Sequence, residues 1–220
     1  KDFSRDSLLL STANGQVKRT PLDQFETVRR AGLIAMRLDK GDQLLAARAA
    51  SDDDDVIMIS SDGQAMRFSV GTLRVASRAS GGVRGMKLRK DATVIALIVA
   101  GDGDDLLVVT EHGAGKRTPM EQYPRKGRGG QGMLTFRISD RTGPLAVARA
   151  VRPDQQVILV SRDGIVMRTR AAQISQQGRT TQGVNVMNLG NDDAVASIAQ
   201  IDIGADSEND AEEADSSEDE

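Results

Sequence analysis

Leu106-Leu107-Val108-Val109-Thr110-Glu111-His112-Gly113-Ala114-Gly115-Lys116-Arg117-Thr118-Pro119 is the stretch that decides how this chain folds. Residues suited to a buried strand run into a polar turn that closes on glycine, and a second strand carrying two bases follows. Gly113 tolerates the positive φ of a tight hairpin, so the second strand should fold straight back on the first. Beyond Tyr123 lies Arg125-Lys126-Gly127-Arg128-Gly129-Gly130-Gln131-Gly132, with no acid between Gln122 and Gly132.

The unit recurs. Turn glycines stand at Gly15, Gly63, Gly113 and Gly164, spaced 48, 50 and 51 residues apart, and a second series at Gly32, Gly82, Gly132 and Gly183 is spaced 50, 50 and 51. Two independent series with one period mark four repeats. Each opens on an apolar strand, Leu8–Ser11, Val56–Ser60, Leu106–Thr110 and Val157–Ser161. The turns are Ala13-Asn14-Gly15, Ser61-Asp62-Gly63, Glu111-His112-Gly113 and Arg162-Asp163-Gly164, where Asn-Gly and Asp-Gly suit a hairpin. Return strands follow at Gln16–Thr20, Gln64–Phe68, Ala114–Thr118 and Ile165–Thr169.

After the second glycine, apolar residues align as Leu33/Met36/Leu38, Val83/Met86/Leu88, Met133/Phe136/Ile138 and Val184/Met187/Leu189. Their spacing of three then two predicts a third strand with a β-bulge. A fourth strand is expected at Gln43–Ala47, Thr93–Leu97, Leu145–Ala148 and Val195–Ile198. Four short strands in about 50 residues predict an all-β, propeller-like array of four-stranded antiparallel blades. No segment sustains a helical period over three turns, although Pro119–Tyr123 could hold a single turn. Thr20-Pro21-Leu22-Asp23-Gln24-Phe25 is nearly copied by Thr118-Pro119-Met120-Glu121-Gln122-Tyr123 but not in the other two repeats, so odd and even blades differ.

The expected organisation is a repeat region over residues 1–201, with units near 7–50, 51–100, 101–151 and 152–201, and a disordered acidic tail over 202–220. Charge divides the same way. Residues 1–201 hold all 29 Lys and Arg against 22 acids, a net of +7, while the tail holds 10 acids and no base. A basic body of this kind suits an anionic partner, for which the tail can compete. The chain has no cysteine, which excludes disulfides and thiolate metal sites and points to a reducing compartment. No apolar run approaches the roughly 20 residues of a membrane helix, and no signal peptide is visible. The first residue is Lys1, so the chain reads as a fragment or processed piece.

Catalytic constellations are poorly supported. His112 is the only histidine and sits in a turn, leaving Ser-His-Asp and Cys-His arrangements little to build on. Ser51–Asp55 and Gly101–Asp105 are acidic but lie between repeats, and Gly113 stands where a calcium loop starting at Asp102 would need Glu. Gly113–Arg117 lacks the first glycine and the hydroxyl residue of a phosphate loop. Bases recur instead. Lys18, Arg19, Arg67, Lys116, Arg117, Arg168 and Arg170 occupy matching places on the return strands, predicting one basic rim. The connecting loops add Arg29, Arg30, Arg78, Arg84, Arg125, Lys126, Arg128 and Arg179. A curved cationic rim suits the phosphates of a bent duplex without base readout. The five aromatics are too few for the stacking platforms of single-strand binders. A strand must show water some polar residue, so register across four repeats carries the argument more than any one base.

Gly15-Gln16-Val17-Lys18-Arg19-Thr20, Gly82-Val83-Arg84-Gly85, Gly113–Pro119 and Arg179–Val184 together resemble the C-terminal domain of the DNA gyrase A protein over residues 7–201. The resemblance implies a β-pinwheel whose blades exchange strands and whose basic rim wraps duplex DNA, in support of negative supercoiling. It also implies a non-catalytic part of a bacterial, cytoplasmic, nucleoid-associated topoisomerase. Partners would be duplex DNA, the rest of the gyrase A protein and the gyrase B protein, with the tail 202–220 competing for the rim, and no membrane. No cofactor is implied for this chain, since ATP and magnesium serve other parts. The family has six blades; four repeats here correspond to the last four. Its Gln-Arg-Arg-Gly-Gly-Lys-Gly box is not intact, the nearest match being Gly127–Gly132. The C-terminal domain of the topoisomerase IV A protein, which bends DNA, and a propeller-type protein-interaction module are the alternatives.

Overall fold

The computed structural model describes residues 6–26 and 30–201; Arg29 and the acidic tail lie outside the described residues. The first repeat contributes β1 (Ser7–Thr12), β2 (Gln16–Pro21) and β3 (Leu44–Ala50). The second contributes β4 (Asp55–Ser60), β5 (Gln64–Ser69), β6 (Val83–Arg84) and β7 (Val94–Val99). The third holds β8 (Asp105–Thr110), β9 (Ala114–Pro119), β10 (Met133–Leu134) and β11 (Leu145–Val151). The fourth holds β12 (Gln156–Ser161), β13 (Val166–Arg170), β14 (Val184–Asn185) and β15 (Val195–Ile201). All strand pairings among the described residues are antiparallel, as expected of antiparallel blades, and two isolated bridges, Arg19 with Val75 and Arg117 with Gln176, are parallel. The turn expected after Pro119 is a 3-10 segment, Met120–Gln122, with equivalents in the other repeats.

Each repeat's first two strands form a hairpin, and its last strand pairs with the first. Positive φ falls on the turn glycine alone, at 87° for Gly15, 81° for Gly63, 82° for Gly113 and 86° for Gly164. These N–H groups donate to Thr12, Ser60, Thr110 and Ser161 carbonyls at 3.0 to 3.2 Å. Each loop therefore has three residues ending in left-handed glycine, instead of the two-residue turn in which Asn or Asp would share the positive φ.

The third strand departs from the bulged strand that the spacing predicts and follows the exchange that the resemblance implies. It leaves its own repeat: β6 pairs with β2, β10 with β5 and β14 with β9. No bulge explains the apolar spacing of three then two. The N–H groups of Gly85 and Met86 both donate to the Gly15 carbonyl, so the crossing chain turns over the hairpin glycine and drops Met86 into the core. Thr135 with Phe136 does the same at Gly63, and Val186 with Met187 at Gly113. The register shifts lie instead between first and last strands, at Ser11/Thr12, Ile59/Ser60, Leu145/Val147 and Val160/Ser161.

Alternation along a strand places the cores between successive blades. Val56 and Met58 face the first blade with Leu9, Val17, Phe68 and Met86, while Ile57 and Ile59 face the third with Leu106, Val108 and Phe136. Leu107 and Val109 pack with Val157, Leu159 and Met187 of the fourth. Central strands β4 and β8, covered on both faces, are buried throughout. Strand β12 is buried at every second residue, because only one of its faces is covered. The last strands β3, β7, β11 and β15 pack in succession around a common axis. Loops and exchanged strands therefore lie away from that axis.

Candidate nucleic-acid interface

The structure gives the most regular bases a different place from the exposed rim. Lys18, Arg19, Lys116 and Arg117 are 2%, 7%, 0% and 7% exposed. Their strands are covered by the next blade, so a base there must find its partners inside the protein. Lys116 Nζ donates to the carbonyls of Gly178 (2.6 Å), Arg179 (2.8 Å) and Thr181 (3.3 Å) and to Thr181 Oγ1 (2.9 Å), with the Phe136 ring 5.5 Å away. Lys18 Nζ likewise meets the carbonyls of Ala35 (2.6 Å), Ser77 (3.2 Å), Arg78 (2.7 Å) and Ser80 (3.1 Å). Each ammonium thus clasps the basic loop of the following blade. The even repeats carry Met66 and Met167 at this position, a second difference between odd and even blades.

Burial, helped by Arg179, pushes the Lys116 ammonium down to about 8 from 10.5, and burial with Arg78 lowers Lys18. Between pH 8 and 10.5 the unfolded chain therefore holds more proton at Lys116 than the folded one. This residue's contribution to stability rises with pH across that window. Lys116→Met, the residue that even repeats use, should remove the rise. Urea midpoints of both proteins over this range check it, and identical pH profiles would refute it.

The arginine one residue later joins blades. Arg67 Nη1 donates to the Met120 and Tyr123 carbonyls at 3.1 and 3.2 Å, and its Nε to Asp55 at 3.0 Å. Arg117 pairs with Asp105 and donates Nε to the Ile174 carbonyl at 2.9 Å. Arg19 pairs with Asp52 and donates to Ser7. Asp52, Asp55 and Asp105, from the acidic segments between repeats, are thus engaged by arginine. Arg168, at the same register, is exposed and bonds Gln156; Arg170 beside it is exposed as well.

The loop bases do face outward, and they do so in register. Arg78, Arg128 and Arg179 each donate Nη1 to a carbonyl of the preceding repeat, those of Ile34 (3.2 Å), Arg84 (3.1 Å) and Leu134 (3.2 Å). One nitrogen pins the guanidinium to the exchanged segment while the side chain stays at least partly exposed. Beside each stands a base that the strand alignment passes over. Arg37, Lys87 and Arg137 are exposed, and their backbone N–H groups donate to Ser80 (3.0 Å), Gly130 (2.8 Å) and Thr181 (3.0 Å). Their signal is readable as a base between the last two apolar residues of Met36/Leu38, Met86/Leu88 and Phe136/Ile138.

Arg84, Lys126 and Arg30 are exposed too; Arg125 is exposed and pairs with Asp55 at 2.8 Å. Arg48 and Arg149 are half-buried near the axis, on the side away from this edge. His112 is exposed in its turn, with Nδ1 3.1 Å from the Arg141 carbonyl. Tyr123 is buried against Thr135, and burial raises its phenol.

Sheets that exchange a strand with the next around one axis, with an arginine pinned at each exchange, define a β-pinwheel. The pinned guanidiniums mark its outer edge as the basic one. The chain belongs to the DNA gyrase C-terminal domain, beta-propeller family, whose pattern matches residues 6–51, 54–100, 104–143 and 155–202. It is 37% identical over 194 residues to the DNA gyrase A protein of Pseudomonas aeruginosa, covering 88% of this chain and 21% of the relative. It is 42% identical over 201 residues to that of Dehalogenimonas lykanthroporepellens, covering 89% and 25%. The chain thus spans about a quarter or less of these relatives and corresponds to a non-catalytic, accessory part of the gyrase A protein. A solved gyrase A C-terminal domain superimposes with a TM-score of 0.83 at 31% identity, covering 92% of this chain and 68% of that one. The topoisomerase IV C-terminal domain shares the fold, with a TM-score of 0.84 at 19% identity over 92% and 64%.

Proposed function

We propose that this chain binds duplex DNA along its outer loop edge and bends it around the succession of blades, assisting negative supercoiling as the C-terminal part of the gyrase A protein. The observation that carries this reading is the threefold pairing of a pinned arginine with an exposed base: Arg78 with Arg37, Arg128 with Lys87, and Arg179 with Arg137. Pinning one nitrogen holds each guanidinium in place beforehand, so less side-chain entropy is lost when a phosphate arrives. Bases repeated once per blade along a curve match a bent polyanion and supply no pattern for reading base edges.

The partners of this reading are duplex DNA, the rest of the gyrase A protein and the gyrase B protein in a bacterial cytoplasm. The acidic segment 202–220 is a competitor for the same edge. No cofactor is assigned to the chain; ATP and magnesium would serve other parts of the enzyme. Relaxing circular DNA with a nicking-closing enzyme in the chain's presence tests the bending. The linking-number distribution should shift with protein added, and an unmoved distribution at saturating protein would sink the reading.

A further inference from the structure

The buried lysines hold more than the joint between two blades, because of what hangs on the carbonyls they gather. The Thr181 carbonyl accepts from Lys116 Nζ at 3.3 Å and from the Arg137 N–H at 3.0 Å. The Arg179 carbonyl accepts from the same ammonium at 2.8 Å. Both bases of one outward-facing pair are therefore tied through their backbone to one buried cation. The first joint repeats the arrangement. The Ser80 carbonyl accepts from Lys18 Nζ at 3.1 Å and from the Arg37 N–H at 3.0 Å, and the Arg78 carbonyl accepts from Lys18 Nζ at 2.7 Å.

Direction matters as much as attachment. No peptide bond among the described residues is cis, and the N–H of a trans peptide points opposite to its C=O. The Gly178 and Arg179 carbonyls converge on Lys116, so the N–H groups of Arg179 and Thr180 point away from it. Those of Arg78, which Gln24 Oε1 accepts at 3.1 Å, and of Ala79 point away from Lys18 in the same manner. Carbonyl oxygens facing the edge would repel a phosphate, whereas outward N–H groups attract one.

The joint between the second and third blades is built otherwise. Met66, paired with Met58 in the register where Lys18 meets Leu10 and Lys116 meets Val108, is 2% exposed. The Gly130 carbonyl accepts the Lys87 N–H at 2.8 Å, and a Cβ on Gly130 would lie 3.0 Å from the Met66 methyl. An apolar contact thus stands where the other two joints have an ammonium.

We propose that Lys18 and Lys116 are positioning residues for duplex DNA: each fixes a loop so that its base pair, Arg37 with Arg78 or Arg137 with Arg179, is preset for a phosphate. This rests on the DNA-binding reading above. Both lysines are buried, so they act through these arginines, by reducing what binding has to order. The pair Lys87 with Arg128 lacks this hold.

Amide hydrogen exchange without DNA and duplex titrations over a salt series, both at neutral pH, test this. One variant combines Lys18→Met with Lys116→Met, the side chain that the second repeat already buries at this position. The other, Thr181→Val, removes the Oγ1 bonds to Lys116 (2.9 Å) and Gly178 (3.0 Å) and keeps every charge. In the lysine variant residues 77–80 and 178–181 should exchange about tenfold faster, with residues 127–130 unchanged as the internal control. Duplex binding should weaken about tenfold, the order expected when long side chains must be immobilised on binding. The loss should be equal at every salt concentration, because no phosphate contact is removed. Thr181→Val should show a smaller loss, with faster exchange confined to residues 178–181. Unchanged loop exchange, or faster exchange with unchanged affinity, overturns the proposal. A salt slope lower by about 1.8, near 0.9 for each lysine, also overturns it, since the lysines would then neutralise phosphates directly. Equal acceleration at residues 127–130 would mean general unfolding and overturns it as well. Should the lysine variant lose its fold, Thr181→Val decides by the same readings. A wild type that binds no duplex refutes the DNA-binding reading itself, which the other outcomes leave standing.

Discussion

Arg117→Ala is expected to destabilise the fold by about 3–5 kcal/mol, the cost of breaking a buried ion pair from one side. Asp105 is 2% exposed and Arg117 7%. Truncating Arg117 leaves the carboxylate with the Gln176 amide at 2.9 Å as its remaining side-chain donor among the described residues. It also frees the Ile174 carbonyl, through which the third blade holds the fourth. Arg19→Ala should cost much less, because Asp52 is 58% exposed and water can replace the guanidinium. Replacing both buried partners, as Arg117→Met with Asp105→Leu, should recover most of the loss, since neither charge is then left alone. Urea unfolding followed by circular dichroism measures all three. A loss under about 1 kcal/mol for Arg117→Ala would mean that the pair is solvated in a way its burial does not suggest.

The loop edge should respond in the opposite manner. Replacing Arg78, Arg128 and Arg179 together by Ala is expected to weaken duplex binding on the order of a hundredfold at moderate salt. It should also reduce the slope of log K against log salt by about 3, near 0.9 for each phosphate no longer neutralised. Stability should change little, because each guanidinium gives one bond to a backbone carbonyl, exposed for Arg78 and Arg128 and half-buried for Arg179. Titrations of unrelated duplex sequences over a salt series check this, and all sequences should lose equally. An unchanged slope would remove these arginines from the interface, and a loss confined to certain sequences would indicate base readout. Arg117→Ala and the loop variant together separate what holds the blades from what meets DNA.

Much of the fold is legible in the chain itself. Glycines at a period near 50 residues, apolar runs ahead of them and the absence of helical periodicity determine four small all-β units. These are local requirements, since a left-handed turn needs glycine and a buried strand needs an apolar run. Local pattern does not say which sheet a strand joins. The spacing Val83/Met86/Leu88 fits a bulged third strand, but two N–H groups bonding to the Gly15 carbonyl in the preceding blade produce it. A strand's partner is set by long-range packing, which leaves no signature in its own residues.

The basic rim divides along the same line. Recurrence of Lys18, Arg19, Lys116 and Arg117 at one strand position was real in the sequence, and its meaning lay in the tertiary structure. Strand exchange stacks the next blade over those positions, so carbonyls of that blade, with the Asp105 carboxylate of Arg117's own blade, surround the cations. Arg78, Arg128 and Arg179 recur 50 and 51 residues apart, yet only the exchange brings each against the preceding repeat. The sequence by itself determined a repeated all-β chain with a basic body and an acidic tail, because turn chemistry, strand pattern and charge are properties of neighbouring residues. Only the tertiary structure decided which bases clasp the blades and which face solvent, because burial depends on what another repeat places over each side chain.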